Sequence, residues 1–153
     1  MPSDKPDRLD FDIHIGASPE TVFRFLTDPK KMMTWLADVV EADPRPGGII
    51  RLAGEPGTVM RGTYVEVVPH RRVVFTWGWE GSSIVPPGSS TVEIELMPDD
   101  NGTRLRLRHG GLPDSQVKEH AAGWQRALPK LQAASEGRDP GGACLSRSRA
   151  GCT

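Results

Sequence analysis

Residues 90–109, STVEIELMPDDNGTRLRLRH, alternate apolar and charged side chains on both sides of a turn sequence. This period of two predicts a pair of half-buried strands. Asn101-Gly102 favours a tight hairpin turn between them, because these residue types tolerate positive φ. The side chains on the predicted inner face are Val92, Ile94, Leu96, Leu105 and Leu107. The opposite face places glutamates of one strand beside arginines of the other, which predicts a solvated face where opposite charges pair across the strands.

The residues that follow this hairpin predict one long helix. Asp114 or Ser115 is expected to cap its start, and apolar residues then recur every three or four positions. These are Val117, Ala121, Trp124, Leu128 and Leu131. Pro129 is expected to kink the helix or to end its regular part, because it removes one backbone hydrogen bond. Periodicity is lost from Gly137, so residues 137–153 are predicted to form a disordered tail.

Upstream of the hairpin, the sequence predicts further strands separated by turns rich in proline and glycine. These strands are Arg8–Ile15, Val39–Ala42, Ile49–Ala53, Val59–Val68 and Val73–Glu80. Ser18-Pro19-Glu20 and Asp28-Pro29 are helix-start signals that predict two short helices after the first strand. Strands joined by tight turns pair antiparallel, since a parallel crossover needs about a dozen residues or more. The expected fold class is therefore α+β, with a curved antiparallel sheet around the C-terminal helix in one domain over residues 1–136.

Length and charge exclude several classes of protein. The 153 residues suit one domain, and 19 basic against 20 acidic residues give a net charge of −1. Such a chain has no basic field to hold a phosphate backbone, so nucleic acid is not an expected partner. No apolar stretch approaches the ~18 residues of a membrane span, and no apolar run follows Met1 as in a secretory signal. We therefore expect a cytoplasmic protein.

The two cysteines, Cys144 and Cys152, both lie near the end of the chain and are not placed to cross-link the core. We expect both to be reduced thiols, in agreement with a reducing compartment. Two cysteines also supply too few ligands for a structural zinc site. No histidine pair has ligand spacing with a carboxylate nearby, so we expect no metal.

Short segments spread over the chain match a known pattern in their order. They are Ala17–Phe23, Thr27-Asp28-Pro29 with Trp35, Asp43–Gly48, Gly62, Glu66-Val67, Pro69, Val74–Trp77, Gly102–Leu105, His109–Leu112 and Gly123-Trp124. Together they resemble the START-like (SRPBCC) superfamily and, within it, the family named for the C-terminal domain of the activator of Hsp90 ATPase. The resemblance implies a helix-grip fold with a cavity between sheet and C-terminal helix. It also implies a function among those linked to the family, such as binding chaperone partners or small apolar ligands.

Aromatic residues supply the candidate binding site. Phe75, Trp77 and Trp79 alternate along one predicted strand and so share one of its faces. They are expected either to pack with Trp124 as ordinary core or to wall a ligand cavity. Trp35 lies on the second short helix, where it belongs either to the core or to the rim of that cavity.

Other side chains could carry chemistry at such a cavity. His109 has the parity of the inward-facing leucines of its strand, and is expected to be a ligand contact, an acid or base, or a structural histidine. Tyr64 and Glu66 share one parity, so both would face the cavity unless the valines beside them do. We favour a solvated Glu66. His120 lies one turn before the tryptophan of the long helix and is expected to flank its buried face.

The sequence contains no nucleophile elbow, phosphate-binding loop or dinucleotide fingerprint, and we expect no cofactor. We predict a non-enzymatic START-like domain that binds a small apolar or aromatic ligand, or a protein partner, in its cavity. The predicted ligand-binding residues are Trp35, Tyr64, Phe75, Trp77, Trp79, His109 and Trp124. One alternative is a cofactor-free enzyme of the cyclase or aromatase type, with proton transfer by His109, Glu66 or Tyr64. Another is a module that acts on a chaperone.

Overall fold

The computed structural model describes residues 8–54 and 56–145 of the chain. The strands are β1 (Leu9–Ile15), β2 (Val39–Ala42), β3 (Ile49–Ala53), β4 (Val59–Val68), β5 (Arg72–Trp77), β6 (Ser90–Asp99) and β7 (Gly102–Gly110). The helices are α1 (Pro19–Thr27), α2 (Pro29–Met32) and α3 (Asp114–Ser135). Within these residues, no helix is both long and apolar enough to cross a membrane.

The strands form one antiparallel sheet in the order β1-β7-β6-β5-β4-β3-β2. The strand at the start of the chain therefore pairs with the last one, and Ile13 lies opposite Leu105. The long helix α3 follows β7 and packs against β1 and α1. This is the α+β helix-grip arrangement that the sequence predicts. Both short helices begin at their expected signals, with Ser18 and Asp28 as N-caps.

The β6–β7 hairpin follows the predicted alternation, and all five apolar side chains of its inner face are buried. Its turn differs in one detail, because the positive φ angles belong to Asp100 and Asn101. Gly102 instead opens β7, where a Cβ atom would come within 2.3 Å of the carbonyl oxygen of Ile15. The glycine is needed for the close approach of β1 and not for the turn.

The outer face of the sheet carries columns of opposite charge. Arg104 lies 2.8 Å from Asp12 on β1, and its guanidinium lowers the pKa of that carboxyl group. Arg72 on β5 lies 2.7 Å both from Glu66 on β4 and from Glu95 on β6. Opposite charges do pair across strands, but not between the two strands of the hairpin as predicted. The glutamates of β6 pair with Arg72 of β5, and the arginines of β7 pair with aspartates of β1.

Helix α3 differs from the prediction at its start, and of the two outcomes expected at its proline, the end of the regular helix does not occur. Its N-cap is Pro113, without a side-chain hydrogen bond, and not Asp114 or Ser115. The helix also continues through Pro129 for a further six residues. A proline removes only one backbone hydrogen bond, and the leucines on either side of it are buried. Core packing before and after the proline therefore holds the helical backbone in place.

The chain beyond α3 folds back onto the body over residues 137–145, which we call the strap. Lys130 of α3 donates hydrogen bonds to two carbonyl groups of the strap. At its end, the amides of Cys144 and Leu145 donate to two carbonyl groups that follow α2, and both side chains are buried. The prediction of a disordered tail is therefore wrong for the strap, because its closing apolar residues gain enough by burial to order a glycine-rich segment.

The strap also corrects the expectation for the cysteines. Cys144 is disulfide-bonded, so the prediction of a reduced thiol is wrong at this position. The remainder of the predicted tail, residues 146–153 with Cys152, lies outside the described residues.

Candidate functional site

A cavity of about 200 Å³ lies between α3, the end of β5 and the strap, and we call it the aromatic cavity. Its aromatic lining residues are Trp77, Trp79, His120 and Trp124. Its other lining residues are Leu36, Thr58, Gln116, Glu119, Gly123, Ala127, Cys144 and Leu145. The residues from α3 recur at helical spacing, so one face of that helix forms one side of the cavity.

Trp77 is the centre of the aromatic wall. Its ring centroid lies 5.4 Å from those of Trp79 and Trp124 and 5.3 Å from that of His109. The contacts with Trp79 and His109 are edge-to-face, so the positive edge of one ring meets the negative face of the other. β5 ends at Trp77 and not at the predicted Glu80, yet both tryptophans reach the same cavity.

His109 lies directly behind this wall, with no solvent exposure. Trp124 donates its indole N–H to Nδ1 of the imidazole at 3.0 Å. The other ring nitrogen, Nε2, lies 3.0 Å from the hydroxyl of Ser90, which itself donates to the carbonyl of Trp77. These partners require the neutral tautomer with its proton on Nε2. Burial, with a smaller contribution from the neighbouring His120, lowers the pKa of His109 to about 3.

His120 is part of the cavity wall and is held in the same manner. Trp79 donates its indole N–H to Nε2 at 3.1 Å, and Nδ1 lies 2.9 Å from the carbonyl oxygen of Gln116. The carbonyl is an acceptor, so the proton of the neutral ring is on Nδ1. Burial lowers the pKa of His120. Each imidazole thus accepts a hydrogen bond from one indole.

The predicted ligand-binding residues occupy two different parts of the interior. Trp77, Trp79 and Trp124 line the aromatic cavity, and His109 supports it from behind. The other three are buried away from its lining. Trp35 donates its indole N–H to the carbonyl of Phe25 at 2.9 Å.

Phe75 lies between Tyr64 and the aromatic cavity, with its ring 6.0 Å from that of Tyr64 and 6.4 Å from that of Trp77. The hydroxyl of Tyr64 has no hydrogen-bond partner among the described residues. Its pKa is raised by burial and by the charge of Asp43.

A β-bulge on β4 separates Tyr64 from Glu66. The pairing with β5 shifts register between these two residues, so that Tyr64 is buried whereas Glu66 is exposed and bound to Arg72. Glu66 is therefore exposed to solvent, as we expected. The expectation that Tyr64 and Glu66 face the same side of the sheet is wrong, because an extra residue in one strand reverses the alternation of side chains.

Sequence reasoning missed most of the polar and strap-derived lining. His120 was expected beside the buried face of α3, one turn before Trp124. Gln116 stands one further turn towards the start of the helix, so the same helical spacing could have found it. The strap carries no such periodic signal. In residues 8–54 and 56–145, no three side chains of histidine, cysteine, aspartate or glutamate converge on a possible metal site.

An antiparallel sheet, a long C-terminal helix and a cavity between them define a helix-grip domain. The family model described as Activator of Hsp90 ATPase homolog 1-like protein matches residues 16–136. The chain belongs to this family, and the resemblance stated from the sequence is confirmed. No protein of curated function matches the sequence.

Solved structures of bacterial proteins share the fold. The AHSA1-like protein of Rhizobium etli is 41% identical with a TM-score of 0.70, covering 88% of this chain and 84% of that one. A protein of Chromobacterium violaceum is 28% identical with a TM-score of 0.77, covering 86% of this chain and 99% of that one. The Aha1 dimer of Colwellia psychrerythraea is 19% identical with a TM-score of 0.73, covering 84% and 96%. This last likeness shows the fold alone.

Proposed function

We propose that this protein binds a small apolar or aromatic molecule in the aromatic cavity. The observation that carries the proposal is the wall of three indole rings and one imidazole around about 200 Å³. An apolar cavity of about 150 Å³ already holds benzene in another protein. The volume therefore suits a molecule of one ring with substituents, held by ring contacts with few polar anchors.

Proton-transfer catalysis is less well supported by the side chains that the sequence offers for it. A general base must present a lone pair to its substrate, but the acceptor nitrogen of His109 is engaged by Trp124. Glu66 lies on the outer face of the sheet, paired with Arg72. Tyr64 does not line the cavity. These positions favour a binding function over the cyclase or aromatase alternative.

A protein partner is a separate prediction that rests on the family and not on the cavity. The family's description points to Hsp90-type chaperones, and a binding assay with purified Hsp90 would test that alternative directly. The cytoplasm stays the predicted location.

The binding function is tested by native mass spectrometry of freshly purified protein, followed by titration of tryptophan fluorescence with tert-butylbenzene. We expect a bound small molecule or a saturable fluorescence change, because three indoles line the cavity. Gly123→Leu places a side chain inside the cavity and should abolish the change. Ala122→Leu, at a neighbouring position that does not line the cavity, is the matched control and should keep it. Neither a bound mass nor a saturable change in the unmodified protein would refute the proposal.

A further inference from the structure

One side chain sets the formal charge of the aromatic cavity. Among the described residues that line it, Glu119 is the only one with a formal charge when the histidine ring is neutral. Glu119 is exposed, so its carboxylate lies where the cavity meets solvent. A ligand that enters the cavity therefore passes a negative charge.

The two histidines do not offset this charge. The ring of His120 in the wall accepts its hydrogen bond from Trp79, and the ring of His109 behind the wall accepts one from Trp124. Protonation of either acceptor nitrogen would set one N–H against another at about the same 3.0–3.1 Å separation. Both rings are thereby held neutral near pH 7, and the described lining holds no cationic side chain.

The same hydrogen bonds determine what two of the three indoles can offer a ligand, whereas the buried N–H group of Trp77 has no partner among the described residues. Trp79 and Trp124 have committed their N–H groups to the histidines, so their π faces are what they can present to a guest. A donated hydrogen bond polarises the donor group and shifts electron density onto the ring. Tryptophan is also the best natural partner for a cation held over its face.

We propose that the aromatic cavity prefers an organic cation with its charge on a methylated nitrogen over a neutral molecule of the same shape. This inference rests on the proposed binding function and adds the charge class of the ligand. A quaternary nitrogen has no N–H group to leave unpaired, which suits a cavity with few hydrogen-bond acceptors. The carboxylate of Glu119 supplies the opposite charge at the opening.

Two probes of the same shape separate charge from fit. Phenyltrimethylammonium and tert-butylbenzene differ only in having nitrogen or carbon at the branched centre, and each is titrated against tryptophan fluorescence with ligand-observed NMR as a second readout. We expect phenyltrimethylammonium to bind about tenfold more tightly, as a cation above aromatic faces should. Glu119→Gln should weaken its binding severalfold and leave that of tert-butylbenzene unchanged. Asp114→Asn removes one negative charge from the same helix outside the cavity lining and should change neither affinity.

The outcomes distinguish this inference from the proposed function. If tert-butylbenzene binds as tightly as the cation, or more tightly, the cavity binds ligands without the proposed charge preference and the inference is overturned. If Asp114→Asn weakens cation binding as much as Glu119→Gln does, the preference comes from general charge and the inference is overturned as well. If neither probe binds, the proposed binding function itself fails.

Discussion

Each buried histidine of the interior accepts a hydrogen bond from an indole, and this bond determines its chemistry. Strand parity was enough to place His109 on the inner face, since it follows two buried leucines at intervals of two residues. The alternation of side chains along β7 could not identify the hydrogen-bond partners of His109, because Ser90 lies on another strand and Trp124 lies on α3. Parity failed at Glu66, because nothing in a single sequence marks the β-bulge that precedes it.

The buried histidines predict how stability depends on pH. Burial lowers the pKa of His109 to about 3 and also lowers that of His120, whereas both titrate near 6.5 in an unfolded chain. As pH falls through about 6.5, the unfolded chain takes up protons that the folded protein refuses, so the free energy of unfolding decreases. The slope reaches about 1.4 kcal/mol per pH unit for each histidine. Urea unfolding at pH 7.5, 6.5, 5.5 and 5.0 measures it above the range where carboxyl groups titrate.

Substitution of single histidines shows how much each one contributes to the dependence of the free energy of unfolding on pH. His120→Gln keeps hydrogen-bonding capacity without a titrating ring and should reduce the slope by the share of His120. His70→Asn is the control, because His70 is exposed and has a left-handed φ that asparagine tolerates. A stability that does not change between pH 7.5 and 5.0, or an unchanged slope in His120→Gln and in His109→Gln, would contradict the prediction.

At the scale of elements, the alternation of apolar residues and the turn-forming and capping residues were sufficient to predict an element whose signals lie within its own sequence. The β6–β7 hairpin and α1 begin and pair as expected, because their signals are local. The strap was not predictable in this way. Its order comes from contacts with the chain after α2 and with Lys130 on α3, which are remote in sequence and leave no periodic trace.

The strap is predicted to stabilise the fold. A chain that ends at Glu136 loses the buried Cys144 and Leu145 and uncovers the cavity wall behind them. Burial of a leucine side chain contributes about 1.5–3 kcal/mol, which corresponds to a fall in Tm of roughly 3–12 °C for a domain of this size. Differential scanning calorimetry of the shortened and full chains measures the difference.

Leu145→Ala in the full chain separates packing from the other effects of truncation, since it removes the buried side chain and keeps the disulfide-bonded Cys144. It should lower Tm in the same direction, whereas Met97→Ala on the exposed outer face should not. If the chain ending at Glu136 melts within a degree of the full chain, the strap contributes nothing to folding.

At the scale of the whole molecule, charge and apolar surface are divided between the two faces of the sheet. The outer face neutralises itself through pairs such as Asp12 with Arg104, so its arginines are not available as a basic surface. Most apolar side chains of the inner face are buried, and the aromatic cavity lies on this side of the sheet, where α3, β5 and the strap meet. A cavity of this kind leaves its lining without some of the contacts that close packing would supply. The unliganded protein should therefore have a lower free energy of unfolding than the same protein with the cavity filled.

Filling the cavity should raise stability and remove the response to ligand. Gly123→Leu replaces a glycine inside α3, which is worth about 0.8–1 kcal/mol in helix propensity, and its side chain occupies the empty space. We expect its Tm without ligand to exceed that of the unmodified protein by a few degrees.

Phenyltrimethylammonium at about 100 times its Kd should stabilise the unmodified protein by about 2.7 kcal/mol, or roughly 5–11 °C in Tm, and should leave the Tm of Gly123→Leu unchanged. Gly123→Ala reports the gain in helix propensity without filling the cavity, and Ala122→Leu should keep the ligand response. A lower Tm for Gly123→Leu than for Gly123→Ala would mean that the space is too small for a leucine side chain, and so too small for the proposed ligand.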